Sequence, residues 1–200
     1  MAKRPTDEEI AAEISIFDTL VGIMPEPRQS LVKQMMGCSV GNSYFIAPAS
    51  SREDYHSCYP GGLLVHSLNV TKTLKRLAKV LCPGKYPDDV LAFVGLFHDL
   101  GKAGDGVHEY YVPNPSQWHR EKLGKMYEVN KECMPGPTSE RGLYILQKHG
   151  IKLETEEYLA IRLNDGAYAE ENRPYLMQEP QLALLVHMAD RWATDQEKDS

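Results

Sequence analysis

A single all-α domain is the fold this sequence predicts, and three observations predict it. Apolar residues recur at spacings of three and four through most of the 200 residues. Proline and glycine punctuate those stretches, at Pro83-Gly84 and again in "MPGPTS". No segment alternates apolar and polar residues with the period of two that a half-buried strand needs. The length suits one domain with decorations. A hydrophobic fraction of 42% and a charged fraction of 25% lie near globular averages, so the composition argues against gross disorder. There is no internal repeat and no low-complexity tract.

The elements follow in chain order. Thr6 and Glu9 form a capping box, and Ile10, Ile14, Phe17 and Leu20 continue a helix to Gly22. A short helix spans Arg28–Met36 and stops at Gly37. "NSYFIAPAS" reads as an extended or irregular link. Gly61-Gly62 opens a long helix that runs to about Leu81 and ends before Pro83-Gly84. Pro87, with Asp88 and Asp89 in the first turn, starts the next helix, which extends to Leu100 before Gly101. Asp105–Ser116 is rich in Gly, Pro and Asn and reads as a surface loop suited to substrate contacts. A helix from Gln117 to about Glu132 follows, then one that Thr138 caps and that reaches His149. The last two helices span Thr155–Leu163 and Glu179–Asp195, and "TDQEKDS" reads as a frayed tail. The division is an N-terminal helical extension over 1–47 packed on the domain, a domain over 48–195 and a tail over 196–200.

Composition narrows the function classes. The formal net charge of −6 argues against a broad surface for long duplex nucleic acid, which needs clustered Lys and Arg. A small anionic ligand held by a few local cations remains compatible. Cys38, Cys58, Cys82 and Cys133 form no CxxC and read as reduced thiols of a cytoplasmic protein. The polar start "MAKRPTDEEI" has no apolar signal region, and no run approaches the roughly 18 apolar residues of a membrane span. The expectation is a soluble cytoplasmic protein without a membrane partner.

Polar residues on apolar stripes carry the chemistry. His66 falls on the stripe of Leu63, Val70, Leu74, Leu77 and Leu81. Leu91 and Val94 lead by the same steps to His98, which Asp99 follows. Ala183, Val186 and His187 lead to Asp190. A lone buried histidine is most often satisfied by a carbonyl or a water. Three helices that each aim such a group inward, with Asp99 beside one of them, point instead to a shared divalent cation. "GLFHDLGK" is no P-loop: five residues separate its glycines, and Ala103 stands where Ser or Thr would hold Mg²⁺. No GxSxG, catalytic-Cys or HExxH signature appears.

His66, then His98-Asp99, then Asp190 resembles the H…HD…D signature of the HD superfamily of metal-dependent phosphohydrolases. "PASSREDYHSCYPGGLLVHSLNV", "LFHDLGK" and "LLVHMADRWAT" look like the corresponding segments in the HD domain of bacterial 3′–5′ exoribonucleases. The resemblance covers roughly Pro48 to Thr194. It implies a helical bundle with the metal in its core, and His66, His98, Asp99 and Asp190 as the ligands. It implies one divalent transition metal, Mn, Fe, Co, Ni or Zn, with no thiolate to narrow the choice. Small stand-alone proteins of this kind occur in bacteria and their phages.

The remaining site residues follow from position. Asp99, Lys102 and His119 are the candidates for catalysis: Lys102 for a phosphate oxygen, His119 for protonating a leaving oxygen. Lys102 could equally be a solvated lysine at a helix end, and His119 a surface histidine. Lys102, Arg120 and Trp118 are candidates for substrate binding, and Trp118, Tyr110 or Tyr111 could stack on a base or simply pack. His187 reads as a pocket wall or a brace. Asn164 and Asp165 sit where two-metal relatives carry histidines, which favours one tight metal. A weaker second site using Asp165 and His119 stays open. The expected activity is hydrolysis of a phosphomonoester, phosphoanhydride or phosphodiester bond in a nucleotide or short oligonucleotide. The rivals are a 3′–5′ exonuclease on single strands, a catalytically slow nucleotide-binding regulatory module and, least favoured, a di-iron HD oxygenase. The oligomeric state, homo-oligomer included, is open.

Overall fold

The computed structural model describes residues 5–166 and 169–198, apart from the side chain of Asp7. The helices are α1 (Asp7–Gly22), α2 (Arg28–Met36), α3 (Ser39–Ile46), α4 (Gly62–Leu81) and α5 (Asp88–Phe97), followed by α6 (Gln117–Leu123), α7 (Thr138–Lys148), α8 (Thr155–Arg162) and α9 (Gln181–Lys198). Tight 3-10 turns occupy Leu100–Ala103 and Glu170–Tyr175. The fold is all-α, and its one sheet among the described residues is a two-stranded hairpin of β1 (Tyr111–Pro113) and β2 (Tyr127–Val129). No helix of the described residues is long and apolar enough to cross a membrane. The four cysteines are free.

α4 is the central helix. It packs on α5 and α9, and α1 and α3 close its other side. Leu63, Val70 and Leu74 of its apolar stripe are fully buried, and His66 lies among them at 0% exposure. Gly95 lets α5 lie close against α4: a Cβ there would sit 2.8 Å from the Thr71 Cα. That close approach brings the two histidine-bearing helices together. The N-terminal segment shares this core, because Phe17 of α1, Tyr44 of α3 and Phe97 of α5 meet with ring centroids 5.7 to 6.2 Å apart.

Several elements differ from the sequence expectation. Asn42–Ile46, expected within an irregular link, belong to α3. Val40 and Tyr44, four apart, are buried, and the Tyr44 hydroxyl donates to the Leu96 carbonyl at 2.7 Å, so tertiary packing overrides weak local propensity. The helix expected to reach Glu132 ends at Leu123, where Gly124 takes the left-handed conformation at φ +59° and donates to the His119 carbonyl. Beyond it the chain forms β2, in register Tyr111 to Val129 and Pro113 to Tyr127. Strands of three residues are too short for alternation to register. Thr138 is the first residue of α7 rather than its cap, a position held by Pro137.

Two differences bear on the site. α5 stops at Phe97 instead of Leu100. Asp99 leaves helical geometry at φ −109° and ψ 19°, and the 3-10 turn follows. Neighbouring residues of an ideal helix diverge by about 100°, so His98 and Asp99 share one target because the helix ends between them. α9 does not fray at 196. It continues to Lys198, and Glu197 is buried.

Candidate metal centre

His98 defines the site. Its Nδ1 lies 2.8 Å from the Gly95 carbonyl, one turn back, a contact that requires the proton on Nδ1. Nε2 therefore carries a lone pair, and this atom is buried with no hydrogen-bond partner. An orphaned acceptor of this kind costs on the order of 1–3 kcal/mol unless something binds it. Across from it stand His66 Nε2 and Asp190 Oδ1, 3.0 Å apart, with Oδ1 3.8 Å from His98 Nε2. One ligand atom from each of His66, His98 and Asp190 falls within 4.8 Å of the other two, the spacing of groups that could hold a metal ion.

Asp99 borders this trio. Its Oδ2 is 3.5 Å from His98 Nε2 and 3.8 Å from His66 Nε2, and Lys102 Nζ holds the same oxygen at 2.5 Å. The pair lies one turn apart, as expected for residues three positions apart. Asn164 braces the dyad from α8's end, donating to the His98 carbonyl at 3.1 Å and to Asp99 Oδ1 at 3.4 Å.

The second nitrogen of His66 has its own carboxylate. Glu197 lies 3.2 Å from Nδ1 and is itself fixed by the Ser57 hydroxyl at 2.8 Å and the Asn69 amide at 2.9 Å. A carboxylate on the far nitrogen of a histidine orients the ring and raises its basicity as a ligand. The composition of the tail concealed Glu197, but its position did not: Asp190 and Glu197 are seven apart and share a helix face. His56 was missed as well. It sits in the turns before α4, where no period marks it, with its ring 4.5 Å from that of His66 and its Nε2 buried without a partner.

The electrostatics describe a place that wants a cation. Burial opposes charge on His66, yet Asp190 and Glu197 outweigh it and lift the imidazole to about 10. Burial likewise opposes ionisation of Asp190 and Asp99. His66 holds Asp190 well below the usual carboxylate range, and Lys102 holds Asp99 below it. Burial, aided by the charge on His66, pushes His56 down to about 3, so it stays neutral. A proton on His66 balances carboxylates that a divalent ion would otherwise balance.

The other expected site residues lie elsewhere. His119 and Trp118 are exposed on α6, ring edge to ring face, and the Arg120 guanidinium donates to the Asn114 carbonyl. Among the described residues these three make no hydrogen bond or ion pair with the cluster, so sequence proximity did not carry them to it. His187 Nδ1 lies 2.8 Å from the Asn164 carbonyl, and its ring packs on Gly166, which makes it a brace for Asn164. Asp165 is exposed at the edge. Partial desolvation and the charge on Asp99 push its carboxyl up, and it stands outside the mutual set of ligand atoms.

A family model described as "HD domain" matches residues 63–195. The chain belongs to the HD-domain family. HD-domain members bind divalent metals and hydrolyse phosphate esters, and the buried His66 and His98 with the half-buried Asp190 could hold one. Comparison with curated proteins and with solved structures gives no match.

Proposed function

We propose that this HD domain hydrolyses a phosphoester or phosphoanhydride bond of a nucleotide or short oligonucleotide, with one divalent transition metal held by His66, His98 and Asp190 and flanked by Asp99. The observation that carries this reading is the buried, partnerless His98 Nε2 facing His66 and Asp190. When bound there, a divalent cation supplies Lewis acidity: it lowers the pKa of water toward about 7 and draws charge from a phosphoryl oxygen. The chain's own residues do the rest. Glu197 and the Gly95 carbonyl fix the two imidazoles so that both Nε2 atoms face the cation. Lys102 shares Asp99 with the site and offers its ammonium to the non-bridging oxygens of the phosphoryl group. Burial opposes its charge, but Asp99 keeps its pKa above the ordinary lysine value, so it works as a fixed cation and not as a proton donor. We assign no step to His119, Arg120 or Trp118. The setting that suits this chemistry and the free thiols is cytoplasmic.

Lys102→Ala is expected to retain the metal and to lose roughly 10²-fold in kcat, the scale for removing one preorganised charge contact. Metal content after dialysis and steady-state rates check this together, and a wild-type rate removes Lys102 from the site. The reading as a whole is tested by chromatography of ribo- and deoxyribonucleotides, cyclic dinucleotides and a short single strand after incubation with Mn²⁺-loaded protein. Loss of a nucleotide supports it, and the product identifies the bond. Shortening of the single strand alone makes the protein an exonuclease. Metal-dependent binding without turnover of any substrate favours the regulatory module.

A further inference from the structure

Lys102 has a second neighbourhood. It also lines a cavity of about 180 Å³ between α3 and the hairpin. Tyr110, Tyr111 and Tyr127 supply aromatic walls, and Ser43 and Glu109 supply polar groups. The Tyr110 and Tyr111 rings are 4.6 Å apart at 52°, and Tyr111 and Tyr127 are 6.4 Å apart at 48°. Tyr111 is half-buried, and among the described residues its hydroxyl has no hydrogen-bond partner. Burial raises this phenol to about 12 against the pull of Lys102, so it is a neutral donor at physiological pH.

Size and chemistry restrict the occupant. Pockets for drug-sized ligands begin at about 300 Å³, so this one admits a single ring system and not a whole nucleotide. Aromatic faces stack on any planar base, and the polar groups meet its edge. Location then ties the cavity to the metal centre. Lys102 lines the cavity and holds Asp99 Oδ2 at 2.5 Å, and that oxygen is 3.5 Å from His98 Nε2. A group that binds Lys102 with its phosphate therefore lies between the two.

We infer that the tyrosine-walled cavity is the base subsite of the substrate, with Lys102 at the junction between base and phosphate. This rests on the phosphohydrolase reading and adds Tyr110, Tyr111 and Tyr127 as the residues that select nucleotides over other phosphate esters. An aromatic cluster present only for packing has no need of a cavity lined by Lys102.

The test compares full-length, Mn²⁺-loaded wild type with Tyr111→Ala and with Ile46→Trp, which fills the cavity from an exposed position on α3. Two quantities are read: the ratio of kcat/KM for nucleoside monophosphates to that for ribose 5-phosphate, and binding of adenosine, guanosine, cytidine and uridine by titration. Wild type should prefer a nucleotide over the sugar phosphate. Both variants should lower that preference tenfold or more and weaken binding of the favoured nucleoside by a similar factor. A preference that neither variant changes, or a fall shared equally by both substrates, overturns the subsite. If wild type hydrolyses neither of these substrates, the nucleoside titration alone decides the cavity, and the phosphohydrolase reading is decided by the wider substrate screen. Binding that Tyr111→Ala weakens then supports the subsite, and no nucleoside binding overturns it.

Discussion

His98→Ala abolishes tight metal binding and lowers hydrolysis by roughly 10³-fold or more, an increase of about 4 kcal/mol in the barrier. The expectation follows from the position of Nε2, which is buried, stripped of hydrogen bonds and aimed at His66 and Asp190. Asp99 is the nearest spare carboxylate, and Lys102 already holds it. The fold should survive, because the substitution deletes an unsatisfied polar atom as well as a ring, and the cost of the void is partly offset. Far-ultraviolet circular dichroism near the wild-type value, together with metal analysis after dialysis and a phosphate-release assay, checks this. Undiminished turnover sinks the assignment of His98.

The second large effect belongs to a residue that touches no substrate. Glu197→Ala is expected to weaken metal binding about 10- to 100-fold, the usual penalty for removing the carboxylate behind a ligating histidine. His66 then keeps Asp190 on one nitrogen and loses its partner on the other, and Ser57 and Asn69 lose their shared acceptor. Glu197→Gln should fall between wild type and alanine, since the amide can still accept from Ser57 but carries no charge. A residue that merely filled space would leave the near-isosteric glutamine variant at the wild-type affinity. Titration of Mn²⁺ into each variant separates these outcomes.

The sequence disclosed the candidate ligands more readily than their supports, and the reason is periodicity. His66, His98 and Asp190 lie on stripes that a 3.6-residue repeat makes visible, so their helices and their inward aim could be read directly. Asp99 was legible only as a neighbour of His98. That it turns toward the same spot depends on α5 ending at Phe97, a boundary one turn earlier than composition suggests. Glu197 obeyed the same periodicity but lay in a charged stretch that looked like a tail. His56 sits in irregular turns, where only three-dimensional packing brings it against His66. Some other expected site residues make no hydrogen bond or ion pair with the cluster among the described residues. His119 and Arg120 lie close in sequence to the loop after Lys102, yet Gly124 ends α6 early and Arg120 is spent on the Asn114 carbonyl. α3 and the β1–β2 hairpin were unreadable because both are short and owe their form to packing, in α3's case to the buried Tyr44 hydroxyl on Leu96.

The most direct test of the buried centre is calorimetric titration of Mn²⁺ into the metal-free wild type, in buffers of different ionisation enthalpy and at several pH values. His66 holds a proton up to about 10 in the metal-free protein, and a cation on its Nε2 must displace that proton. Binding of one ion should therefore release about one proton at neutral pH, and affinity should rise roughly tenfold per pH unit as pH climbs toward that value. His98→Ala should abolish the signal. The absence of binding, or binding that releases no proton and survives His98→Ala, would contradict a metal centre at His66, His98 and Asp190.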